Sequence, residues 1–187
     1  MKITDFNKGI ISSSLGSFWW GFIGTYYFHY ITFIGTIEVV VHRCVWTTLM
    51  LLITTTLYNK WHLFKKYIFN KRTLLILLIT SILIFANWSI WIYAVATNRI
   101  IDASFGYFIF PIISVFFGFL FFNEKLNKKR FFSISLVIIS TIYLFFNLNS
   151  LPWVGFALAF IWSIYNLLRK KINVNTDIGL FIESLFI

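Results

Sequence analysis

Charged side chains are scarce in this sequence. Only 12% of its 187 residues are Asp, Glu, Lys or Arg, whereas 59% are hydrophobic and 22% are aromatic. A soluble globular domain carries about 25% charged residues, so this chain has too few to cover a surface that faces water. The composition excludes a water-soluble globular protein and predicts an all-α membrane protein, namely a polytopic helical bundle.

Cysteine and recognisable catalytic motifs are also scarce. The single cysteine, Cys44, excludes an internal disulfide. The sequence contains no nucleophile-elbow, zinc-protease or nucleotide-binding motif, and its three histidines do not have the spacing of metal ligands. We therefore expect no enzyme activity, no cofactor and no metal ion.

Apolar stretches long enough to cross a bilayer recur along the chain. A transmembrane helix needs about 20 such residues, and the stretches that qualify are 9–30, 37–58, 74–97, 103–122, 131–148 and 151–168. A seventh stretch, 178–187, is too short to cross, so the chain is expected to stop inside an element. The first stretch ends in aromatic residues without a small-residue cleavage site, which favours a retained span over a signal peptide.

Basic residues occupy alternate loops. All but two of the 16 lysines and arginines lie before span one, between spans two and three, between spans four and five, or after span six. The exceptions are Arg43, just inside span two, and Arg99. The positive-inside rule then predicts a cytoplasmic N-terminus. Because this pattern accounts for the net charge of +10, we expect the lipid bilayer as a partner and no nucleic acid.

Polar side chains near the start of span two are candidate functional groups, because a charge near the bilayer centre costs about 2.5–3.5 kcal/mol. Glu38 and His42 are four residues apart and should share a helix face, with Arg43 on an adjacent face. One interpretation is an interfacial cluster whose side chains reach water. The other is a gate or substrate contact, in which His42 can carry a proton near neutral pH.

Span three contains an amide, Asn87, beside Trp88 and Trp91. An amide in hydrocarbon needs a hydrogen-bond partner, so Asn87 should face other helices, either as a structural contact or as a substrate contact. The two tryptophans either pack in the ordinary way or form an aromatic wall for a planar or cationic ligand.

Span four contains a proline. Pro111 has no N–H, so it leaves the carbonyl of Tyr107 unpaired, a device that transporters use in interrupted helices; a harmless kink is the alternative. Gly106 permits close approach of a backbone or ligand, and Ser114 and Gly118 form a small-xxx-small pattern. We expect a kink in the outer half of this span and tight packing in its inner half.

Seven short motifs occur in a fixed order along the chain: IEVVVHR, ANW, ASFGYFIFP, NEKL, LPWVGFALAF, LLRKK and GLFIES. Together they resemble the RarD-type branch of the EamA drug/metabolite transporter family, from the first span to the last residue. The resemblance implies a multi-pass protein of the bacterial inner membrane and a secondary transporter of small metabolites or drugs. The family pattern differs at Phe110, where it has asparagine, at Phe28 or His29, where it has lysine, and at Asn123, where it has glycine.

Members of this family resemble ten-span carriers built from two five-span repeats of inverted topology. The resemblance implies that residues 1–149 form the first repeat and that residues 150–187 open the second. Glu38 and Glu183 then begin the second helix of each repeat, and we expect them to occupy corresponding positions on the two sides of an alternating-access path. Two alternatives stay open. The chain is a half-transporter that needs a partner chain or forms a homodimer, although the charge bias argues against dual topology, or it is a truncated remnant that does not transport.

Overall fold

Six helical stretches coincide with the six predicted spans in a computed structural model, which describes residues 5–125, 127–148 and 151–187. Those ranges contain no strand, which confirms the all-α class. Lys2 of the charge pattern, Leu126 of the NEKL motif and the 149/150 repeat boundary lie outside the described residues. The helices are α1 (Asp5–Phe18), a π-helical segment (Trp19–Gly24), α2 (Thr25–Tyr30), α3 (Thr36–Leu57), α4 (Trp61–Ile68), α5 (Lys71–Ala96), α6 (Ile100–Phe122), α7 (Lys128–Phe146), α8 (Trp153–Ile172) and α9 (Thr176–Phe186).

Four of the described helices are by themselves long and apolar enough to cross a membrane, namely α3, α5, α6 and α7. The first apolar stretch is also continuous, because the residues that join α1, the π-helical segment and α2 have right-handed helical dihedral angles. Helix α8 has 20 residues, so its length is about 30 Å at 1.5 Å per residue, and its last turn is basic. The chain is therefore a multi-pass helical membrane protein.

The connection between spans two and three contains a helix that the sequence pattern did not indicate. Helix α4 is amphipathic, and its apolar side packs on the buried Leu77 of α5 and on Ile178 and Ile182 of α9. The rings of Trp61 and Phe64 also contact Phe181 of α9. This basic loop is thus fixed against the bundle.

Helix α5 lies at the centre of the bundle, where it contacts α2, α3, α4, α6, α8 and α9. Helix α8 packs on α5 and α6, α9 packs on α3 and α5, and α7 packs on α6. The largest buried apolar cluster lies between α3, α5 and α8 and includes Val40, Trp88 and Leu158. The two elements after span five therefore complete the packing around α5.

Helices α6 and α8 cross with their backbones in contact. A Cβ atom added to Gly106 would lie 2.6 Å from the carbonyl oxygen of Gly155, which real Cβ atoms essentially never do. The close approach predicted at Gly106 is confirmed, and its partner is a backbone. The tight helix contact predicted at Gly118 is wrong, because within 4 Å a Cβ on Gly118 would meet only the carboxylate of Glu124; at Ser114 it stays a prediction. No other described helix therefore approaches α6 at Gly118 as closely as α8 does at Gly106.

The connections α3–α5, α6–α7 and α8–α9 meet at one end of the bundle, the basic end. Lys60 pairs with Asp177 across this end, and the hydroxyl of Tyr67 donates to Oδ1 of Asn175 at 2.7 Å. The basic connections that alternate along the sequence thus come together at one end of the bundle. Helices α3, α5, α6 and α8 each end at a left-handed asparagine, with φ of 46° to 57°, and these residues are Asn59, Asn98, Asn123 and Asn173.

Asparagine tolerates positive φ almost as glycine does. The left-handed conformation of Asn123 (φ 51°) therefore suits asparagine as well as the glycine that the resemblance implies at this position.

Candidate functional site

A cavity of about 310 Å³ lies between the π-helical segment, α3, α5, α6 and α8. Its position follows from helix geometry: Arg43 is seven residues after the first residue of α3, or about 10 Å from that end of the helix. The cavity is therefore embedded in the half of the bundle opposite the basic end. Its lining is mostly aromatic and consists of Trp20, Arg43, Asn87, Trp88, Trp91, Gly106, Tyr107, Phe110, Leu158, Ala159 and Trp162.

The guanidinium group of Arg43 is held by aromatic rings. Its central carbon lies 4.0 Å from the ring centroid of Trp88, 4.8 Å from that of Trp20 and 5.8 Å from that of Phe28. A guanidinium over an aromatic face is attracted by the ring quadrupole, and the attraction is larger away from water. Three elements thus place one positive charge at the wall of the cavity.

No carboxylate among the described residues forms an ion pair with Arg43. The ion pairs formed there are Lys60–Asp177, Arg99–Asp102, Arg169–Glu183 and Lys170–Glu124. The Nη1 atom of Arg43 is buried and has no hydrogen-bond partner. A buried donor without an acceptor is unfavourable, so this nitrogen would gain from a hydrogen-bond acceptor on a ligand.

Trp88 and Trp91 both line the cavity, as an aromatic wall requires. The ring centroid of Trp91 lies 5.0 Å from that of Trp20 and 5.2 Å from that of Phe28. However, the face of Trp88 carries the guanidinium of Arg43. Arg43 therefore occupies the place where this aromatic wall would hold a cationic ligand. A role of the wall in binding a ligand stays a prediction.

Asn87 contacts another helix and also lines the cavity, as its two interpretations require. Its Nδ2 donates to the carbonyl oxygen of Leu158 on α8 at 3.4 Å, which joins α5 to α8, and the same residue lines the cavity. The amide has a second N–H, so the structural contact leaves a donor for a ligand.

Helix α6 is continuous through Pro111. Tyr107 and Phe110, which precede the proline, line the cavity, while Pro111 is absent from that lining. A carbonyl of Tyr107 freed by the proline stays a prediction, as does the kink.

Glu38 and His42 do not share the position of Arg43. Both side chains are exposed on α3, whereas Val39, Val40 and Cys44 are buried on the opposite side of the helix. The structure thus separates the three polar residues at the start of span two, and a gating role for Glu38 and His42 stays a prediction.

Glu183 is fully buried and has three partners from other parts of the chain. Its Oε1 accepts from Oγ1 of Thr80 at 2.6 Å and lies 3.7 Å from Nε of Arg169, and its Oε2 accepts from the hydroxyl of Tyr165 at 3.1 Å. Gly179 makes room for this arrangement, because a Cβ there would collide with the guanidinium of Arg169. Sequence reasoning identified Glu183 but not its partners, since no local pattern joins α5, α8 and α9.

A second cavity, of about 230 Å³, lies between α6 and α8 on the side of the basic end. Phe110 lines both cavities, and the second one also reaches Ser114, whose buried Oγ has no hydrogen-bond partner. Lys170 and Glu124 form an ion pair at its basic end. The hydrogen bond from Lys170, followed by the charge of that group, holds the pKa of Glu124 below its usual value.

Metal binding has no support within the described ranges, because no three His, Cys, Asp or Glu side chains there come together as a ligand group. The candidate site is therefore an aromatic cavity with one arginine, and it contains no arrangement of acid, base and nucleophile.

Comparison with known proteins gives a family match and several relatives. The model of the EamA-like transporter family matches residues 7–146. An uncharacterized transporter of Vibrio cholerae is 35% identical over 97% of this chain and 60% of its own length. The protein RarD of Escherichia coli is 28% identical, and the uncharacterized transporter YojE of Bacillus subtilis is 29% identical, each over 100% of this chain and 63% of its own length.

The chain thus spans less than two thirds of the length of these relatives. No solved structure matches it. The similarity extends through α8 and α9, beyond the residues that the family model matches.

Proposed function

Because this chain belongs to the EamA-like transporter family, in its RarD-type branch, we propose that it carries a small organic solute across the bacterial inner membrane, with the cavity around Arg43 as the solute site. The observation that carries the proposal is a cavity of about 310 Å³ inside the membrane-spanning bundle, lined by aromatic rings and one unpaired guanidinium nitrogen. Ligand pockets of this kind are concave, mostly apolar and have few polar groups.

The transport is secondary, because the sequence contains no nucleotide-binding motif. We propose that the solute moves between the two cavities along the gap between α6 and α8. Phe110 separates the cavities, and the pair Lys170–Glu124 closes the gap at the basic end. The N-terminus and the basic end then face the cytoplasm.

The relatives are longer than this chain. We therefore propose the transport activity for the complete carrier to which these helices belong. In that proposal residues 1–149 form the first repeat and residues 150–187 open the second. The remaining spans belong to the same polypeptide or to a partner chain.

The test is uptake of labelled small metabolites into membrane vesicles from cells that produce the protein, driven by an imposed proton gradient. Trp91→Ala removes a ring from the cavity wall, and Trp46→Ala removes an exposed ring from the same bundle. We expect Trp91→Ala to reduce uptake at least tenfold and Trp46→Ala to leave it unchanged. Uptake equal to that of vesicles without the protein, for every solute, would contradict the proposal.

A further inference from the structure

Arg43 gives the cavity a charge that the described chain does not neutralise. Four of the acidic side chains described in the structure pair with other cations, namely Asp102, Glu124, Asp177 and Glu183. The side chain of Glu38 is exposed. Glu38 precedes Arg43 by five residues, so it points about 140° away around the helix at 3.6 residues per turn. An unpaired charge within a bilayer is unfavourable unless something binds it.

The aromatic cage does not satisfy the guanidinium completely. The guanidinium carbon lies over the rings of Trp88 and Trp20, but ring faces accept few hydrogen bonds, and Nη1 stays buried without a partner. The rings therefore leave the N–H groups of Nη1 without an acceptor. A guanidinium group fits a carboxylate, which accepts two parallel N–H bonds from an arginine.

We infer that the solute of the proposed carrier is an organic monoanion whose carboxylate binds Arg43 and whose apolar body packs against Trp91 and Trp162. This inference rests on the proposed function and names its substrate class. One arginine balances one negative charge, and the second amide N–H of Asn87 is a further donor beside it. A cation would meet the repulsion of Arg43, and a neutral solute would leave Nη1 without a charged acceptor.

The size of the cavity selects a large organic anion over a small anion. A chloride ion or a single acetate fills a small part of about 310 Å³ and makes no contact with the rings of Trp91, Tyr107 and Trp162 together. A carboxylate that carries an aromatic or branched apolar body satisfies the charge and covers these rings together. The affinity should therefore depend on both parts of the molecule.

The test compares three probes of nearly equal shape: phenylacetate, phenylacetamide and phenethylamine. Binding is followed by tryptophan fluorescence of the full chain in nanodiscs of phosphatidylcholine. We expect phenylacetate to bind at least tenfold more tightly than the amide and the amine, and acetate to bind at least tenfold more weakly than phenylacetate. Equal binding of acid and amide, or tighter binding of the amine, overturns the inference.

Variants assign the preference to the cavity. Arg43→Gln should remove the preference for the acid over the amide, Arg43→Lys should keep part of it, and Arg72→Gln, which alters an exposed arginine at the basic end, should keep all of it. Trp91→Ala retains Arg43, so it should weaken the binding of phenylacetate and of phenylacetamide by the same factor. This variant keeps the inference testable if Arg43→Gln fails to fold. A preference for the acid that survives in Arg43→Gln, or that falls in Arg72→Gln, overturns the inference.

A lipid phosphate can offer the same acceptor chemistry as a free carboxylate, so nanodiscs that contain phosphatidylglycerol form a separate arm. We expect phenylacetate to bind equally in both membranes. Competition by phosphatidylglycerol that disappears in Arg43→Gln would assign Arg43 to a lipid headgroup and overturn the inference.

Vesicle uptake separates this inference from the proposed function. If phenylacetamide and phenylacetate are taken up equally, and Trp91→Ala reduces both, the inference of an anionic solute is overturned while the proposed transport function stands. If phenylacetate binds selectively but no solute is taken up, the inference of an anionic ligand is supported and the proposed transport function is contradicted.

Discussion

Tyr165 joins the cavity to the buried carboxylate of Glu183. Its ring stacks on Trp162, with centroids 4.9 Å apart and planes 14° apart, and its hydroxyl donates to Oε2 of Glu183 at 3.1 Å. Trp162 lines the cavity, and Glu183 lies between α5, α8 and α9. Trp162 and Tyr165 therefore connect the wall of the cavity to the carboxylate of Glu183, on which α5, α8 and α9 converge.

Tyr165→Phe removes the hydroxyl and keeps the ring. The carboxylate of Glu183 then loses one of its hydrogen bonds in a buried place, so we expect a loss of stability of about 1–3 kcal/mol. The measurement is thermal or denaturant unfolding in detergent, with Tyr143→Phe on the exposed face of α7 as the matched control. Equal melting of the two variants would show that the bond contributes nothing.

Glu183→Gln leaves Arg169, whose side chain is only 11% exposed, without a negative partner. Breaking a buried ion pair in this way costs about 3–5 kcal/mol, and we expect a loss of that order in the free energy of unfolding. The double variant Arg169→Gln with Glu183→Gln should lose less than the sum of the single variants, because neither charge is then unpaired. Strict additivity would mean that the two groups do not interact. Glu124→Gln, in an exposed pair, is the control and should change little.

Gly106→Ala places a methyl group against the carbonyl oxygen of Gly155. The contact is with backbone, which cannot turn aside as a side chain does, so we expect α6 and α8 to separate at a cost of about 1–3 kcal/mol. Gly16→Ala in α1 is the control, because a Cβ there has nothing within 4 Å and alanine favours a helix. Unfolding measurements that place both variants at wild-type stability would refute the close crossing.

The pair Lys60–Asp177 should make the basic end sensitive to acid. The hydrogen bond from Lys60, the largest favourable contribution, holds the pKa of Asp177 below 3.8. Since the folded pKa is lower than the unfolded one, the pair stabilises the protein above a pH of about 3.8, and this contribution disappears as the pH falls through the folded pKa. The protection of α4 amides against hydrogen exchange, corrected for the intrinsic pH dependence of amide exchange, should therefore fall in that acidic range in the wild type. In Asp177→Asn the exchange should be faster already at neutral pH; identical pH profiles would exclude the pair as the cause.

Sequence reasoning found the spans because a helix that crosses a bilayer must satisfy its own backbone and be apolar over its whole length. The family assignment, the all-α class and the close approach at Gly106 were accessible for similarly local reasons. Helix α4 was missed, since an eight-residue amphipathic helix is far shorter than a span. Arg43 was named as a candidate, but its separation from Glu38 and His42 depends on which face of α3 meets α5.

The partners of Glu183 could not be read from the sequence either. Thr80 precedes it by 103 residues, and Tyr165 and Arg169 are brought to it by the turn between α8 and α9. The small residues Ser114 and Gly118 indicated that α6 can be approached closely, but not by which helix. A cavity lies between α6 and α8 beside these two residues, and the close approach occurs at Gly106 instead.

The most direct test asks whether a solute occupies the cavity. A single cysteine at Tyr107, in a Cys44→Ala background, places a thiol on the cavity wall, and a cysteine at Lys125 places one in the exposed α6–α7 connection. The rate of labelling by a water-soluble thiol reagent is measured with and without phenylacetate or any solute found to be transported. We predict that the solute slows labelling of Tyr107→Cys several-fold and leaves Lys125→Cys unchanged. Labelling of Tyr107→Cys at the same rate in the presence of a transported solute would contradict the assignment of the cavity as the solute site.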